Sequence, residues 1–363
     1  MKAVIYTEYG SPDVLHLAEV AKPAPQDNEV LIRVHATAVN FGDLMARNFK
    51  SITPRKFGMP LPLMLISRMY FGFSEPKVNI LGSEFAGVVE AVGAQVTRFK
   101  PGDAVFGYRA QKMGAYAEYV CMPESGMLAL KPARMTFEEA AAVPYGALTA
   151  LALLRTVNLQ PGQKVLINGA SGSIGAAAVQ LAKYYGAEVT GVCGTPRLDF
   201  VKALGADKVI DYTKEDFTRS GETYDVIFDI LGKTSFSRGR KALKPNGRYL
   251  FASFKLKQML QMLETKIVGG QKVICALSSE KPDDLTFIGG LIEAEQYRTI
   301  IDRRYPMAQA AEAHRYVEQG RKGGSVVLTA WNPNTSQGAE AMIAQALKTS
   351  ALGTVRTFLK EGA

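Results

Sequence analysis

The chain has 363 residues, enough for two domains, and its hydrophobic content of 47% and charged content of 21% are ordinary for a soluble globular protein. Its cysteines, Cys121, Cys193 and Cys275, are too far apart for a metal site or a disulfide framework, which favours a reducing, cytoplasmic location. The net charge of +9 arises without a long run of basic residues, which argues against a dedicated nucleic-acid module and leaves an anionic ligand or peripheral contact with an anionic membrane surface.

Residues 1–125 are rich in short β-prone runs bounded by Gly, Pro and Asp, which predicts a partly open β-barrel. The runs cover residues 4–6, 29–35, 87–92 and 104–106. An insert at 48–80, rich in proline, methionine and aromatic residues, interrupts them. This insert either lines a pocket or packs on the barrel as a hydrophobic loop.

From residue 126 to 280 strands alternate with helices, which predicts a doubly wound parallel sheet. Strand-like runs cover residues 164–167, 188–193, 208–210, 225–229, 248–251 and 272–276. Six parallel strands make a complete dinucleotide-binding, or Rossmann, fold. Residues 281–331 return to helices and a strand at 325–329. We therefore expect the α/β domain to be inserted into the barrel domain, which the later segment completes.

The turn after the first of these strands carries a dinucleotide fingerprint. Residues 168–175 read Asn-Gly-Ala-Ser-Gly-Ser-Ile-Gly, between a buried strand and a helix. Free backbone N–H groups and the positive end of the helix dipole can meet a pyrophosphate that approaches the glycine turn. The predicted contacts are Ala170, Ser171, Gly172, Ser173, Ile174 and Gly175. The alternative is a tight glycine turn in an ordinary α/β unit.

The end of the next strand indicates which dinucleotide binds. Sites for NAD usually place an acid there to bind the ribose, whereas a small residue and an arginine accommodate a 2′-phosphate. This chain has Thr195 and Arg197, and no acid before Asp199. The pattern predicts NADPH as the cofactor. The alternative is that Arg197 is a solvated residue in the first turn of a helix.

The last segment, 332–363, begins with a turn-rich linker and continues as an amphipathic helical pattern over residues 338–360. Such a helix packs on the body of the protein or on a partner subunit, touches a membrane, or is loosely ordered. The sequence does not choose among these.

Together these motifs resemble the medium-chain dehydrogenase/reductases, and within them the zinc-independent quinone oxidoreductase branch. The resemblance spans residues 1–331 and rests on the stretches 40–47, 81–89, 99–106, 114–119, 140–149, 169–175, 204–207, 209–212, 228–232 and 323–328. It implies a GroES-like barrel domain over 1–125 plus 281–331, and a Rossmann domain over 126–280. It also implies a homodimer, with the strand at 272–276 as the pairing edge.

The chain departs from the zinc enzymes of this superfamily at the metal ligands. Those enzymes place cysteine where Asn40 stands and histidine where Ser83 stands. Zinc needs thiolate, imidazole or carboxylate donors. The three histidines, His16, His35 and His314, fall in unrelated elements. We therefore expect no zinc and no Lewis-acid polarisation of a substrate oxygen.

The resemblance assigns roles on the substrate side. Asn40 would donate a hydrogen bond that positions the substrate. Asp43 would anchor the local loop through Arg47, or the two would form a structural i,i+4 pair on a helix. Thr149 matches a position near the nicotinamide, and the alternative is that it is simply a buried helix threonine.

On the cofactor side, the resemblance places Tyr212 and Lys322 at the 2′-phosphate end, and Gly232 where the cofactor needs room. The sequence offers no convincing general acid. The leading hypothesis is an NADPH-dependent reductase of quinones or α,β-unsaturated carbonyls, since both accept hydride at a conjugated position without a metal. The alternative is a nucleotide-binding protein with low turnover that acts through membrane-lipid or RNA contact. A zinc-free alcohol dehydrogenase is a poor hypothesis on chemical grounds, because no group is available to take the proton of the alcohol.

Overall fold

The protein is described here from a computed structural model, which covers residues 1–53, 61–279, 281–320 and 322–329. The predicted linker and tail at 332–363 and residues 54–60 of the insert lie outside the described residues. None of the described helices is both long enough and apolar enough to cross a membrane.

The barrel region contains a two-stranded hairpin and a seven-stranded sheet. The hairpin pairs β1 (Lys2–Ile5) with β2 (His16–Glu19). The sheet contains β3 (Glu29–Val39), β4 (Glu84–Val92), β5 (Ala104–Tyr108), β6 (Tyr119–Pro123), β7 (Met127–Leu130), β14 (Ile301–Pro306) and β15 (Ser325–Thr329). Its order is β14-β15-β3-β4-β5-β7, with β6 also paired to β3. Because β14 and β15 come from the far end of the chain, the barrel is completed by the later segment, as predicted.

The second sheet is a six-stranded parallel sheet. Its strands are β8 (Lys164–Asn168), β9 (Glu188–Cys193), β10 (Lys208–Asp211), β11 (Tyr224–Asp229), β12 (Leu243–Phe251) and β13 (Lys272–Cys275). The order β10-β9-β8-β11-β12-β13 is that of a doubly wound dinucleotide fold. The predicted Rossmann sheet, inserted in the GroES-like barrel, is therefore confirmed. Strand β12 starts earlier than predicted, because Leu243 pairs with Tyr224 before a shift of register.

Helices cover the sheets and connect them. They are α1 (Phe41–Arg47), α2 (Leu61–Phe71), α3 (Phe137–Ala141), α4 (Pro144–Thr156), α5 (Ser173–Tyr184), α6 (Leu198–Ala203), α7 (Phe236–Gly239), α8 (Leu256–Val268), α9 (Pro282–Glu293) and α10 (Ala310–Glu318). Helix α4 is buried along most of its length and packs on α5. One hydrophobic cluster joins Phe106 of β5, Leu151 of α4 and Ile167 of β8. The two sheets thus share a core, which fixes the walls of the cleft between them.

Two details bear on the predicted divisions of the chain. Strand β7 belongs to the seven-stranded sheet although it follows residue 125, so the predicted domain boundaries remain predictions. Within the insert, Phe71 of α2 packs on a hydrophobic cluster that includes Val4 and Tyr6, and its ring centroid lies 5.1 Å from that of Phe49, which also belongs to the insert. Ile66 and Met69 of the same helix are exposed to solvent.

Candidate active site

The fingerprint turn between β8 and α5 has the geometry of a phosphate cradle. Gly169 adopts φ of +95°, a conformation that favours glycine. A Cβ on Gly175 would lie 2.1 Å from the carbonyl oxygen of Gly169, so the helix packs on the turn only because Gly175 has no side chain. A Cβ on Gly172, the N-cap of α5, would meet only that same oxygen, at 3.7 Å. The protein therefore leaves open space at the helix N-terminus, where a dinucleotide pyrophosphate fits.

A lysine from the barrel domain reaches this turn. Lys322, in the turn before β15, donates from Nζ to Oγ of Ser173 at 3.1 Å. Burial lowers its pKa, although Glu84, Asp302 and Asp43 oppose that shift. The sequence interpretation had placed Lys322 at the 2′-phosphate end, and the structure instead places its ammonium at the N-terminus of α5. A cation here adds to the dipole that favours an anionic ligand.

The turn after β9 is organised by an acid that the sequence analysis did not consider. The Thr195 hydroxyl donates to Asp211 at the end of β10, and the Thr213 hydroxyl donates to the same carboxylate at 2.7 Å. These hydrogen bonds lower the pKa of Asp211. The carboxylate is thus held by its neighbours. The sequence signal for this role was an acid directly after the predicted strand at 208–210, followed two residues later by a threonine that can donate to it.

Two further predicted residues, Tyr212 and Arg197, each pack against a glycine, and for Arg197 that glycine lies in the turn that carries Lys322. The ring of Tyr212 covers Gly194, where a Cβ would lie 3.4 Å from the ring. The guanidinium of Arg197 lies against Gly323, where a Cβ would come within 2.8 Å of its Cζ. Arg197 is therefore packed against the backbone of the barrel domain and is not simply a solvated helix residue.

The loop after β11 needs glycine at position 232 because the protein's own backbone approaches closely there, and the predicted space for the cofactor at Gly232 stays a prediction. Gly232 has φ of +61°, and a Cβ there would lie 2.6 Å from the carbonyl oxygen of Ser253. Its N–H donates to Oδ1 of the buried Asp229 at 3.0 Å, and Asn168 donates from Nδ2 to the same oxygen at 3.1 Å. Asp229 thus fixes the loop that carries Gly232. Sequence reasoning missed this role, which depends on contacts across neighbouring strands.

On the opposite side of the cleft, Asn40 caps α1. Its Oδ1 accepts from the N–H of Gly42 at 2.9 Å, and its Nδ2 donates to Oγ of Ser83 at 2.8 Å. Asn40 is 2% exposed. The two side chains that stand at the zinc-ligand positions of related enzymes are thus hydrogen-bonded to each other. The predicted contact of Asn40 with substrate stays a prediction.

Asp43 anchors the loop before β4, but not through Arg47. Its carboxylate accepts from the N–H of Asn40 at 2.9 Å and from the N–H of Gly82 at 3.0 Å. Burial raises the pKa of Asp43 to about 7. The predicted interaction of Asp43 with Arg47 is wrong in both of its forms, because Arg47 forms its salt bridge with Glu318 of α10. The i,i+4 spacing suggested a local pair, and long-range packing supplied another partner.

Glu84, at the start of β4, is a buried acid that the sequence analysis overlooked. Burial raises its pKa to about 8, and the N–H of Tyr145 donates to its Oε2 at 2.7 Å. Thr149 lies one turn further along α4 than Tyr145 and is buried, so the structure places it on the same helix face. Its contact with the nicotinamide stays a prediction. The available signal was a charged residue directly before the apolar run of Phe85 and Ala86, at the start of a strand.

The remaining candidates for metal binding and acid catalysis are dispersed. Among the described residues, no three His, Cys, Asp or Glu side chains are grouped to hold a metal. His35 stacks on Phe137 with centroids 4.3 Å apart, and His314 lies 3.1 Å from the Tyr116 hydroxyl. Tyr6 is buried, and burial raises its pKa.

Family models match both parts of the chain. A model described as an alcohol dehydrogenase GroES-like domain matches residues 26–132, and one described as a zinc-binding dehydrogenase matches residues 204–328. The first match lies within the barrel part of the chain, and the second spans strands β10 to β13 of the parallel sheet together with β14 and nearly all of β15 of the barrel.

Individual relatives extend over nearly the whole chain. A 2-methylene-furan-3-one reductase of Solanum lycopersicum is 32% identical over 342 residues, covering 90% of this chain and 79% of the relative. An NADPH-dependent alkenal/one oxidoreductase (chloroplastic) of Arabidopsis thaliana is 30% identical, with coverage of 90% and 79%. The solved structure of the quinone oxidoreductase from Coxiella burnetii has a TM-score of 0.78 at 28% identity, covering 91% of this chain and 99% of that one. The chain therefore belongs to the medium-chain dehydrogenase/reductase family, as an NAD(P)H-dependent oxidoreductase of the quinone oxidoreductase type.

Proposed function

We propose that this protein is a zinc-free reductase that uses NADPH to transfer hydride to quinones or α,β-unsaturated carbonyls. The observation that carries the proposal is the open cradle at Gly172, faced by Lys322 from the other domain. The names of the relatives support the substrate class, because furanones, enals, enones and quinones all place a carbonyl in conjugation. Such acceptors delocalise the charge that hydride addition creates.

The residues divide into those that would hold the cofactor and those that shape the substrate side. The turn from Ala170 to Gly175 would bind the pyrophosphate, and Lys322 would add a positive charge. Arg197 and Tyr212 lie at the 2′-phosphate end. When bound, NADPH supplies the hydride. The protein must therefore hold NADPH and the acceptor in one cleft, and their mutual orientation by itself lowers the barrier to hydride transfer.

The substrate side has a rigid wall and buried acids. Asp43 fixes the loop before β4, and Asn40 caps α1 beside it. Reduction of a conjugated acceptor consumes a proton as well as hydride. Water entering the cleft can supply it, and the carboxyls of Asp43 and Glu84 keep protons near neutral pH because of their burial.

The proposal that zinc takes no part rests on the donor set. Asn40 and Ser83 offer an amide and a hydroxyl, which are bonded to each other at 2.8 Å. Zinc sites in proteins are built from thiolates, imidazoles and carboxylates. The two carboxylates nearby, Asp43 and Glu84, already accept backbone N–H groups.

We further propose that the protein is a cytoplasmic homodimer. Strand β13 is an edge of the parallel sheet, and α8 packs beside it with an exposed apolar face. The exposed residues are Leu256, Met259, Leu260, Leu263, Ile267 and Val268. A two-fold arrangement would pair the edges and cover this face. Light scattering at micromolar concentration should give about twice the chain mass, and a monomer alone would contradict the proposal.

The activity is tested by following NADPH oxidation with a panel of quinones, enals, enones and simple aldehydes. We expect turnover with the conjugated acceptors and little with the simple aldehydes. Sustained oxidation of secondary alcohols with NADP⁺ by metal-free protein would refute the assignment. Tight NADPH binding without turnover on any acceptor would favour the alternative of a nucleotide-binding protein with low turnover.

A further inference from the structure

An open cleft of about 480 Å³ lies where the turn after β9 meets β14 and α10. Its lining includes three arginines, Arg197, Arg303 and Arg315, and the ring of Tyr316. Arg197 comes from the Rossmann domain, whereas the other residues come from the part of the chain that completes the barrel. The cleft is thus walled by both domains, beside the adenosine end of the dinucleotide site.

The charges of the three arginines are compensated unequally. Arg315 forms ion pairs with Asp13 and with Glu312. Among the described residues, neither Arg197 nor Arg303 forms a salt bridge. Arg197 and Arg303 thus face the same cleft without a salt bridge of their own. The Asp302 carboxylate acts on Arg303 only beyond salt-bridge distance, and Glu312, which also lines the cleft, pairs with Arg315.

Each of these guanidiniums packs on one neighbouring group, although the Arg303 side chain is otherwise exposed to solvent. Arg303 lies over the ring of Tyr316, with its Cζ 4.0 Å from the ring centroid. The hydroxyl of Tyr316 donates to Asp302 at 2.6 Å, which fixes the ring beneath the arginine. Arg197 packs on Gly323, where a side chain would leave no space for it. Fixed guanidiniums lose little conformational entropy when they bind an anion.

A phosphate monoester is the anion that two such groups recognise best. The guanidinium fork matches phosphate oxygens with paired hydrogen bonds, and two forks balance a dianion. Arg197 lies in the turn after the second strand of the fold, where the 2′ substituent of the adenosine ribose is read. The geometry points to Arg303 as a specificity-determining residue for the 2′-phosphate of NADPH, acting across the cleft from Arg197. This inference rests on the proposed function, and it makes the cofactor a bridge between the two domains.

The test compares Arg303→Gln with Arg304→Gln in the full chain. Arg304 is the matched control because alternate residues of a strand face opposite sides, and Arg303 and Tyr305 both line the cleft. Binding of NADPH, NADH, adenosine 2′,5′-bisphosphate, 5′-AMP and inorganic phosphate is measured by titration, without turnover. We expect Arg303→Gln to weaken NADPH and the bisphosphate by roughly tenfold to a hundredfold, the range for a charge-assisted hydrogen bond. NADH and 5′-AMP should bind unchanged, and Arg304→Gln should have little effect on any ligand.

The outcomes separate this inference from the proposed function. If wild-type protein prefers NADPH, and Arg197→Gln lowers that preference while Arg303→Gln does not, the inference is wrong and the cofactor assignment survives. If wild-type protein binds NADH as tightly as NADPH, both fail together. If Arg303→Gln weakens only inorganic phosphate, the cleft is a separate anion site and the inference is overturned.

A second variant covers the case in which Arg303→Gln does not fold. Arg303→Lys retains the charge over Tyr316 but lacks the planar fork. We expect it to fold and to lose several-fold in its preference for NADPH over NADH. An unchanged preference for NADPH over NADH in a folded Arg303→Lys protein would count against paired hydrogen bonds from Arg303 to the 2′-phosphate.

Discussion

The two glycines of the fingerprint turn should respond to alanine in opposite ways. In Gly175→Ala the new Cβ would lie 2.1 Å from the Gly169 carbonyl oxygen and 2.8 Å from the Ala170 Cα. Both contacts are with backbone atoms, so α5 must move away from β8. Overpacking of this kind costs about 1–3 kcal/mol or more. We expect Gly175→Ala to lower the free energy of unfolding in the absence of cofactor.

Gly172→Ala should instead fold well and bind poorly. The nearest protein atom to its new Cβ is 3.7 Å away, an ordinary contact. Replacing glycine by alanine at an N-cap costs about 1 kcal/mol or less. The methyl group would occupy the space that we assign to the pyrophosphate, and each charge-assisted hydrogen bond lost there is worth about 1.5–3 kcal/mol. NADPH affinity should therefore fall by at least roughly tenfold.

The assay pairs chemical denaturation without cofactor with NADPH titration of the same preparations. Gly290→Ala in α9 is the control, because a Cβ there meets nothing within 4 Å. That variant should be unchanged in binding and slightly stabilised, as expected for glycine to alanine in a helix. If Gly172→Ala binds NADPH as tightly as the wild type, the pyrophosphate does not approach this glycine and the reasoning is refuted.

Three further predictions concern the substrate side. Asn40→Ala should lower turnover by roughly a hundredfold to a thousandfold, the loss of about 2.7–4 kcal/mol expected for a dominant oxyanion donor, with NADPH affinity nearly intact. Asn40→Asp keeps the side-chain oxygen that caps α1, and a loss of only a few-fold in both variants would assign Asn40 to capping α1 alone. Because burial raises the pKa of Asp43 to about 7 and of Glu84 to about 8, the folded protein binds more protons than the unfolded chain between about pH 4 and pH 8, so stability should fall as pH rises through that window. Chemical denaturation across this pH range should show a smaller decrease in the free energy of unfolding for Glu84→Gln than for the wild type. Equal decreases in the two proteins would contradict the assignment. Elemental analysis should find well under one zinc per chain, and stoichiometric zinc lost together with activity would overturn the zinc-free proposal.

The sequence by itself determined the architecture, because the patterns that specify it are local. Alternating strands and helices predict a parallel sheet, and the glycine spacing at 169–175 specifies the tight turn at the start of α5. The barrel strands and their completion by the segment at 325–329 were likewise visible as short β-prone runs between turn residues. In each case neighbours along the chain carry the information, since backbone geometry and side-chain alternation repeat over a few residues.

Only the tertiary structure decided which polar groups meet in the cleft. Lys322 and Ser173 are 149 positions apart, and Arg47 and Glu318 are 271 positions apart. Such pairs depend on how the two sheets pack on a shared core, and no local spacing encodes them. The i,i+4 spacing of Asp43 and Arg47 even suggested the wrong partner. Burial, which raises the pKa of Asp43 and of Glu84, likewise follows from the assembled fold and not from neighbours in the chain.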